Sequence, residues 1–279
     1  MSGLPVPRTP QGRAGLAAIS HDPARALIAL DYDGTLAPIV ADPRAARAHP
    51  AAAPALTELS GLVGTVAVIT GRPAQLTVEL GGLAGVPGLI VLGHYGWEQW
   101  RDGVLTSRPS PPGVAAVRAR LPDVLARAGA PDGTWTEDKG HALAVHTRRT
   151  ADPDAALALL AGPLAELAAA TGLAVEPGRL VIELRPRGTD KGSALTALVA
   201  ERGSGPIMFA GDDLGDVAAF AAVRALRAAG HPGLTVCSAS GEVTELAEQA
   251  DLVVDGPDQV IALLAGLARL LAGSPRPAR

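Results

Sequence analysis

Asp31 and Asp33 stand two residues apart in Leu30-Asp31-Tyr32-Asp33-Gly34-Thr35-Leu36, directly after the apolar run Ala26-Leu27-Ile28-Ala29-Leu30. Two carboxylates at this spacing can divide a substitution reaction, one attacking while the other moves a proton. Gly34 permits a tight turn, and Thr35 offers a hydroxyl where the backbone reverses. The same residues also compose an ordinary Asx-rich turn, so their meaning depends on what accompanies them. Thr70-Gly71-Arg72-Pro73 follows the β-branched run Thr65–Ile69. Pro73 suits a first helical position, which sets Thr70 and Gly71 where a helix amino terminus can hold a phosphate. Thr189-Asp190-Lys191-Gly192 opens the helical stretch Ser193–Ala200 and brings an ammonium. Gly211-Asp212-Asp213-Leu214-Gly215-Asp216 follows the apolar Ile207–Ala210 and adds a second acid cluster.

These groups need a scaffold that brings distant loops together. Strands are expected at Leu27–Leu30, Thr65–Ile69, Leu89–Leu92, Ile207–Ala210, Leu234–Cys237 and Leu252–Val254, with Ala/Leu-rich helical segments between several of them. Such alternation predicts an α/β fold: a mostly parallel sheet covered by helices on both faces, with ligands at the carboxyl ends of its strands. Between about residues 104 and 187 the pattern changes. His141–Thr147 reads as a strand. Asp154–Thr171 reads as a helix capped by Asp152 or Asp154, and Leu173–Val175 with Leu180–Leu184 as a pair turning at Pro177-Gly178. We read residues 107–187 as a smaller inserted α/β cap that closes as a lid, with Pro/Gly-rich joints near Ser107–Gly113 and Arg185–Gly188. The core would be 26–106 with 188–272, preceded by a tail and first helix (1–25) and followed by a tail (273–279). Met1–Gln11 and Gly273–Arg279 read as loose ends.

The four chemical segments resemble, in form and order, the motifs of the haloacid dehalogenase-like phosphatases. Further stretches are similar to trehalose-6-phosphate phosphatases: Asp31–Ile39, Gly93-His94-Tyr95-Gly96-Trp97-Glu98, Thr136-Glu137-Asp138-Lys139-Gly140, Val181-Ile182-Glu183-Leu184-Arg185-Pro186 and Gly211–Asp216. The resemblance runs from about Ala26 to about Ala272. It implies a Rossmann-like core with a cap, and a Mg²⁺-dependent phosphatase acting on trehalose 6-phosphate through an aspartyl phosphate. Asp31 would be the nucleophile and Asp33 the general acid and base. Mg²⁺ would take the Asp31 side chain, the Asp33 carbonyl and Asp212, with Asp213 and Asp216 orienting waters or Lys191. Asp216 has an alternative reading as a charge at a helix amino terminus. Thr70 and Lys191 would hold phosphoryl oxygens. Gly71, Arg72 and Glu98 would contact substrate, while Glu137, Lys139, Glu183 and Arg185 would bind the disaccharide. The family commonly carries Asn-His-Gly-x-Glu where this chain has His94-Tyr95-Gly96-Trp97-Glu98, so the roles of His94 and Tyr95 stay open. Trp97, Trp100, His141 and His146 read as packing or structural groups. Rival readings are a phosphatase of sucrose 6-phosphate or mannosyl-3-phosphoglycerate, and a non-catalytic sugar-phosphate sensor; the sensor is disfavoured because all three aspartates are present.

Bulk properties agree with a small-molecule enzyme. The 279 residues suffice for two domains, and with 48% hydrophobic but only 3% aromatic residues the core must be aliphatic. A net charge of −4 without like-charge blocks argues against nucleic acid or an anionic membrane as partner. The single Cys237, the absence of an apolar leader core and the absence of an uncharged membrane-length run fit a cytoplasmic enzyme, with a trehalose-phosphate synthase as a possible functional pair. Lysine usage is selective. Of 24 basic residues only Lys139 and Lys191 are lysines, both inside segments singled out on other grounds. A compact ammonium and a planar guanidinium are not interchangeable, so arginine-rich coding bias leaves lysine where its geometry is required.

Overall fold

The computed structural model describes residues 4–40, 42–239 and 244–273. Helix α1 (Pro10–His21) starts at Thr9, whose hydroxyl accepts from Gly12 N. Strand β1 (Leu27–Leu30) is buried along its whole length, as are β2 (Thr65–Ile69) and β3 (Ile90–Gly93). Helices α2 (Ala52–Ser60) and α3 (Ala74–Gly81) lie between them in sequence. A hairpin follows, β4 (Glu98–Arg101) and β5 (Val104–Ser107). Asp102 and Gly103 form its turn at φ 49° and 83°, the left-handed pair that an Asp-Gly two-residue hairpin uses.

Residues Arg108–Thr189 form a separate compact unit. It holds α4 (Pro112–Arg127), β6 (Trp135–Asp138), β7 (Leu143–His146), α5 (Pro153–Thr171), β8 (Leu173–Gly178) and β9 (Val181–Pro186). The first unit then resumes with α6 (Lys191–Arg202), β10 (Ile207–Gly211), α7 (Val217–Ala228), β11 (Gly233–Ala239), α8 (Thr244–Gln249), β12 (Leu252–Asp255) and α9 (Gly256–Gly273).

In the first unit the strand order is β12-β11-β10-β1-β2-β3-β4-β5, parallel except across the β3–β4 and β4–β5 pairs. Alternate residues of the central strands serve opposite faces. Ile28, Leu30, Val66 and Val68 join Ile19, Leu56, Leu59, Val78 and Leu264 from α1, α2, α3 and α9. Leu27, Ala29, Ala67 and Ile69 join Leu195, Leu198, Phe220 and Val223 from α6 and α7. Continuous apolar strands are what a sheet covered on both faces requires.

The second unit is an antiparallel sheet, β6-β7-β9-β8, with α4 and α5 on one face. Leu143, Val145, Ile182 and Leu184 pack there against Val114, Val117, Leu121, Leu160 and Leu164. Helix α5 is the one helix among the described residues long and apolar enough to cross a membrane by length and composition; it buries Leu160, Leu164 and Leu167 in this core instead. Its amino terminus is capped by Asp152, which accepts from Ala155 N at 3.0 Å.

Several expectations need correction. The N-terminal residues are not a loose tail up to Gln11: Pro10 already begins α1, Leu4 packs against the core, and Arg8 N donates to Asp251 O at 2.7 Å. Residues 274–279 lie outside the described residues. The β8–β9 turn falls at Arg179-Leu180 and not at Pro177-Gly178, because Gly178 pairs with Val181 and Leu180 takes φ 62°. Pro73 caps α3 from outside instead of opening it. Strands β4, β5 and β6 escape a search for apolar runs because β4 and β6 are rich in polar residues and β5 is exposed along its length.

Asp251 ties the N-terminal segment to the sheet. Its buried carboxylate accepts from Arg227, from the Thr9 hydroxyl, and from Thr235 N and Oγ1, both at 2.8 Å. Burial alone would raise this carboxyl, but the bonds from Arg227, Thr9 and Thr235 outweigh it and hold Asp251 below its ordinary value. The stability it supplies is therefore present above the unfolded-state value of about 3.9 and is lost as pH falls through the lower native value. Asp251→Ala should lower the unfolding free energy at neutral pH by about 3 kcal/mol, since Arg227 loses its buried partner. The gap in urea unfolding between wild type and variant should shrink as pH falls from about 3.9 towards the lower native value and close below it, and a gap that stays constant across that whole range would contradict the assignment.

Candidate active site

The strand order reverses direction at β1. Strands β2 and β3 lie to one side, and β10, β11 and β12 to the other. Side chains at the carboxyl ends of β1 and β10 therefore meet at the position where open α/β sheets bind ligands. Asp31 follows β1 and its N donates to Ala210 O at 2.8 Å; Asp212 follows β10. Lys191 opens α6, whose capping box pairs Asp190 with Ser193. From there Lys191 Nζ lies 2.8 Å from Asp31 Oδ2, 2.8 Å from Asp216 Oδ1 and 3.8 Å from Asp213 Oδ1. The second oxygen of Asp216 accepts from the N of Asp212 at 3.0 Å and of Asp213 at 3.2 Å. Both Asp216 oxygens are thus engaged by protein donors, and this residue shapes the loop and anchors the lysine.

Asp31, Asp212, Asp213 and Asp216 each offer an oxygen within 4.8 Å of all the others. Asp31, Asp212, Asp216 and Lys191 are all buried. Burial pushes Asp31 well above the ordinary carboxyl value even against the pull of Lys191. Asp212 is pushed up to about 8 by burial and then by Asp213 and Asp216. Burial would drive Lys191 towards the neutral amine, yet Asp31, Asp216 and Asp213 raise it well above the ordinary lysine value. Four carboxyl groups around one ammonium make an all-oxygen pocket, a donor set that fits a hard divalent cation whose charge would favour their ionised forms. Gly34 keeps the pocket open: it takes φ 66°, and a Cβ there would lie 1.9 Å from Asp212 Oδ2. Ser238, which the sequence did not single out, donates through Oγ to Gly34 O at 2.6 Å and pins this turn. Its signal is only a hydroxyl at the carboxyl end of a buried strand.

Asp33 has a different environment. Both its oxygens accept from Arg72, Nε to Oδ2 at 2.5 Å and Nη2 to Oδ1 at 2.7 Å. Arg72 also donates Nη1 to Pro43 O at 2.7 Å, and its guanidinium lies 5.6 Å from the centroid of the Tyr32 ring. The arginine expected to touch substrate is therefore committed to the second aspartate. Thr70 is buried, and its Oγ1 accepts from Arg72 N at 3.2 Å. Glu98, also expected at the substrate, accepts from Ala74 N at 2.9 Å through Oε2 and so caps α3. His94 and Tyr95, at φ 48° and 58°, brace the Thr70–Arg72 loop. His94 N donates to Arg72 O at 2.9 Å, Tyr95 N donates to Thr70 O at 2.9 Å, and His94 Nδ1 donates to Gly71 O at 3.1 Å. The Tyr95 hydroxyl would lie 2.7 Å from a Cβ at Gly71, which explains a glycine at that position.

In the second unit, Glu137, Lys139, Glu183 and Arg185 share the sheet face opposite α4 and α5. Glu137 pairs with Ala144 and Ala144 with Glu183, so the three form one cross-strand row. Lys139 and Glu183 form an ion pair. Glu137 Oε2 accepts from His146 Nε2 at 3.1 Å, and Arg185 Nη2 donates to Glu176 Oε2 at 2.8 Å. His146, read as structural from the sequence, stacks on Trp135 with ring centroids 3.9 Å apart.

A doubly wound core that ends its central strand in an aspartate and sets a buried lysine against it, with a mixed α/β unit interposed in sequence, places the chain in the haloacid dehalogenase-like fold class. One hydrolase of that class from Bacteroides thetaiotaomicron shares the fold at 19% identity, with TM-score 0.55 over 89% of this chain and 98% of that one. Within the class, the chain belongs to the trehalose-phosphatase family, whose profile matches residues 29–258. Trehalose-phosphate phosphatase of Mycobacterium avium is 36% identical over 213 residues, 70% of this chain and 50% of that protein. Trehalose-6-phosphate phosphatase of Aspergillus fumigatus shares the fold with TM-score 0.71 at 23% identity, over 95% of this chain and 99% of the other. The chain spans from 15% to 64% of the length of the curated relatives it matches.

Removing the ammonium leaves buried carboxylates without a counter-charge. Lys191→Met should destabilise the protein by about 3 kcal/mol at neutral pH, read by urea unfolding. A Lys191→Met protein as stable as wild type would show that the carboxylates do not depend on this cation.

Proposed function

We propose that the protein is a phosphatase that hydrolyses trehalose 6-phosphate to trehalose and inorganic phosphate. The observation that carries the reading is the buried Lys191 ammonium bonded to Asp31 beside Asp212 and Asp213, in a chain of the trehalose-phosphatase family. Phosphate monoesters react very slowly unaided, so positioning and electrostatic stabilisation must supply nearly all the catalysis. Lys191, with Thr70, receives phosphoryl oxygens that would otherwise be repelled by the carboxylates. Asp31 Oδ attacks phosphorus, and the bond from phosphorus to the sugar oxygen breaks. Asp33 gives that oxygen a proton. Asp33 then takes a proton from water as the water attacks phosphorus, and the bond to Asp31 breaks to release phosphate. Arg72 keeps the Asp33 carboxylate oriented while it alternates between these roles. Asp31, Asp212 and the Asp33 carbonyl would hold Mg²⁺, with Asp213 orienting water; when bound, the ion neutralises charge between nucleophile and phosphate.

Sugar recognition is assigned to Glu137, Lys139, Glu183 and Arg185. A carboxylate accepts two hydroxyl hydrogen bonds and a cation donates several, which suits a polyol.

The decisive measurement is phosphate release across a panel of sugar phosphates with and without Mg²⁺. Trehalose 6-phosphate should be the preferred substrate, and chelation should abolish turnover. Asp31→Asn should reduce kcat by more than about a thousandfold, roughly 4 kcal/mol of barrier, while leaving the fold intact; a folded variant with a tenth of wild-type activity would sink the covalent route. Lys191→Arg should also fail on every substrate, because a planar guanidinium cannot occupy a site two carboxylates share at 2.8 Å. Lys139→Arg should weaken use of trehalose 6-phosphate while sparing a small aryl phosphate, and equal loss on both would remove Lys139 from the sugar site.

A further inference from the structure

The sheet face of the second unit opposite α4 and α5 carries an ordered arrangement around Glu137 that goes beyond the sugar-binding assignment. Trp135 and His146 are direct cross-strand partners in the β6–β7 pair, and their rings stack at 3.9 Å with an interplanar angle of 5°. Arg149 also lies over the Trp135 ring, 5.3 Å from its centroid. Glu137, two residues beyond Trp135, is the diagonal cross-strand neighbour of His146. Its own partner in the row is Ala144, too small to compete for its carboxylate. A carboxylate only accepts, so His146 Nε2 carries the proton of the 3.1 Å bond to Glu137 Oε2. Burial holds His146 below the ordinary histidine value despite the pull of Glu137, which fits a neutral ring with one N–H to give.

The stack restrains the donor, and the donor restrains the carboxylate. Glu137 has a side chain 44% exposed, and without a partner it would sample several rotamers at the cost of its aim. His146, at 22% exposure, is covered on one ring face by Trp135, which itself lies beneath Arg149. One Glu137 oxygen is taken by His146, which leaves Oε1 to a ligand. We propose that His146, clamped by Trp135, is a positioning residue that aims Glu137 at sugar hydroxyls and thereby sets selectivity for a disaccharide phosphate over a sugar-free one. The proposal rests on the assignment of Glu137 to sugar binding.

The test is kcat/KM for trehalose 6-phosphate and for a small aryl phosphate in Glu137→Gln, His146→Ala, His146→Gln, Trp135→Ala and the double variant Glu137→Gln/His146→Ala. His146→Ala should lose about tenfold on the sugar phosphate, the scale of one hydrogen bond to a charged group, mainly through KM. Its activity on the aryl phosphate should stay within about twofold. Trp135→Ala should follow the same pattern more weakly. His146→Gln retains a donor of similar reach and should recover most of the loss, which a packing role for the ring would not allow. In the Glu137→Gln background, His146→Ala should add nothing. Equal losses on both substrates, no recovery by His146→Gln, or full additivity with Glu137→Gln would each overturn the proposal. If Glu137→Gln alone leaves trehalose 6-phosphate hydrolysis unchanged, the sugar-binding assignment fails first, and that single variant identifies which step was wrong.

Discussion

A single buried ammonium holds the acidic end of the first unit's sheet together. Among the described residues Lys191 is the cation bonded to Asp31 and Asp216, and through Asp216 it reaches the backbone of Asp212 and Asp213. Desolvating carboxylates at this density is unfavourable unless charge is balanced and lone pairs are filled. The fold meets both conditions from three chain segments: β1 supplies the first acid, β10 the cluster, and α6 the lysine, held at the helix start by an Asp190–Ser193 capping box. Gly34 and Gly211 are needed for the same reason, because a Cβ at either would occupy the space of Asp212 or Asp216.

The two aspartates of the first motif are separated by environment more than by sequence. Asp31 is buried against an ammonium, while Asp33 is half-exposed and gripped in a planar fork by Arg72. A compact cation can be shared among several oxygens at once, whereas a bidentate arginine fixes the plane of a single carboxylate. The lysine and the arginine are thus each in the position where the other would fail, in a chain that otherwise uses arginine almost everywhere.

The sequence announces the parallel core because burial on both faces forces uninterrupted apolar runs, and β1, β2 and β10 begin where those runs begin. It conceals β6, since Trp135-Thr136-Glu137-Asp138 alternates half-buried with exposed residues and never reads as apolar. Asp31, Lys191 and Asp212 were legible as types at strand and helix ends. The commitments of Arg72 to Asp33, Glu98 to the α3 amino terminus, and His146 to Glu137 were not, because each pairs residues whose meeting depends on the tertiary fold. His94 and Tyr95 illustrate the same limit. Their departure from the family spelling is visible in the sequence, but only the left-handed corner they form shows that they support a loop.

The position of β1 at the switch point has a consequence for how the chain is made. Its neighbours are β2, which emerges from the ribosome soon after it, and β10, whose residues 207–210 come about 180 positions later. Until then the most apolar strand of the sheet has one open edge and one uncovered face, since α6 and α7 also lie far downstream. The same delay applies to Asp31, which has no counter-charge before Lys191 is synthesised. The N-terminal helix waits longer still, for Asp251. Biosynthesis therefore carries a long interval in which the half-built sheet is exposed to wrong partners. The compact unit spanning residues 108–189, whose hydrophobic cluster is built from its own residues, is synthesised within that interval, before the first unit is complete.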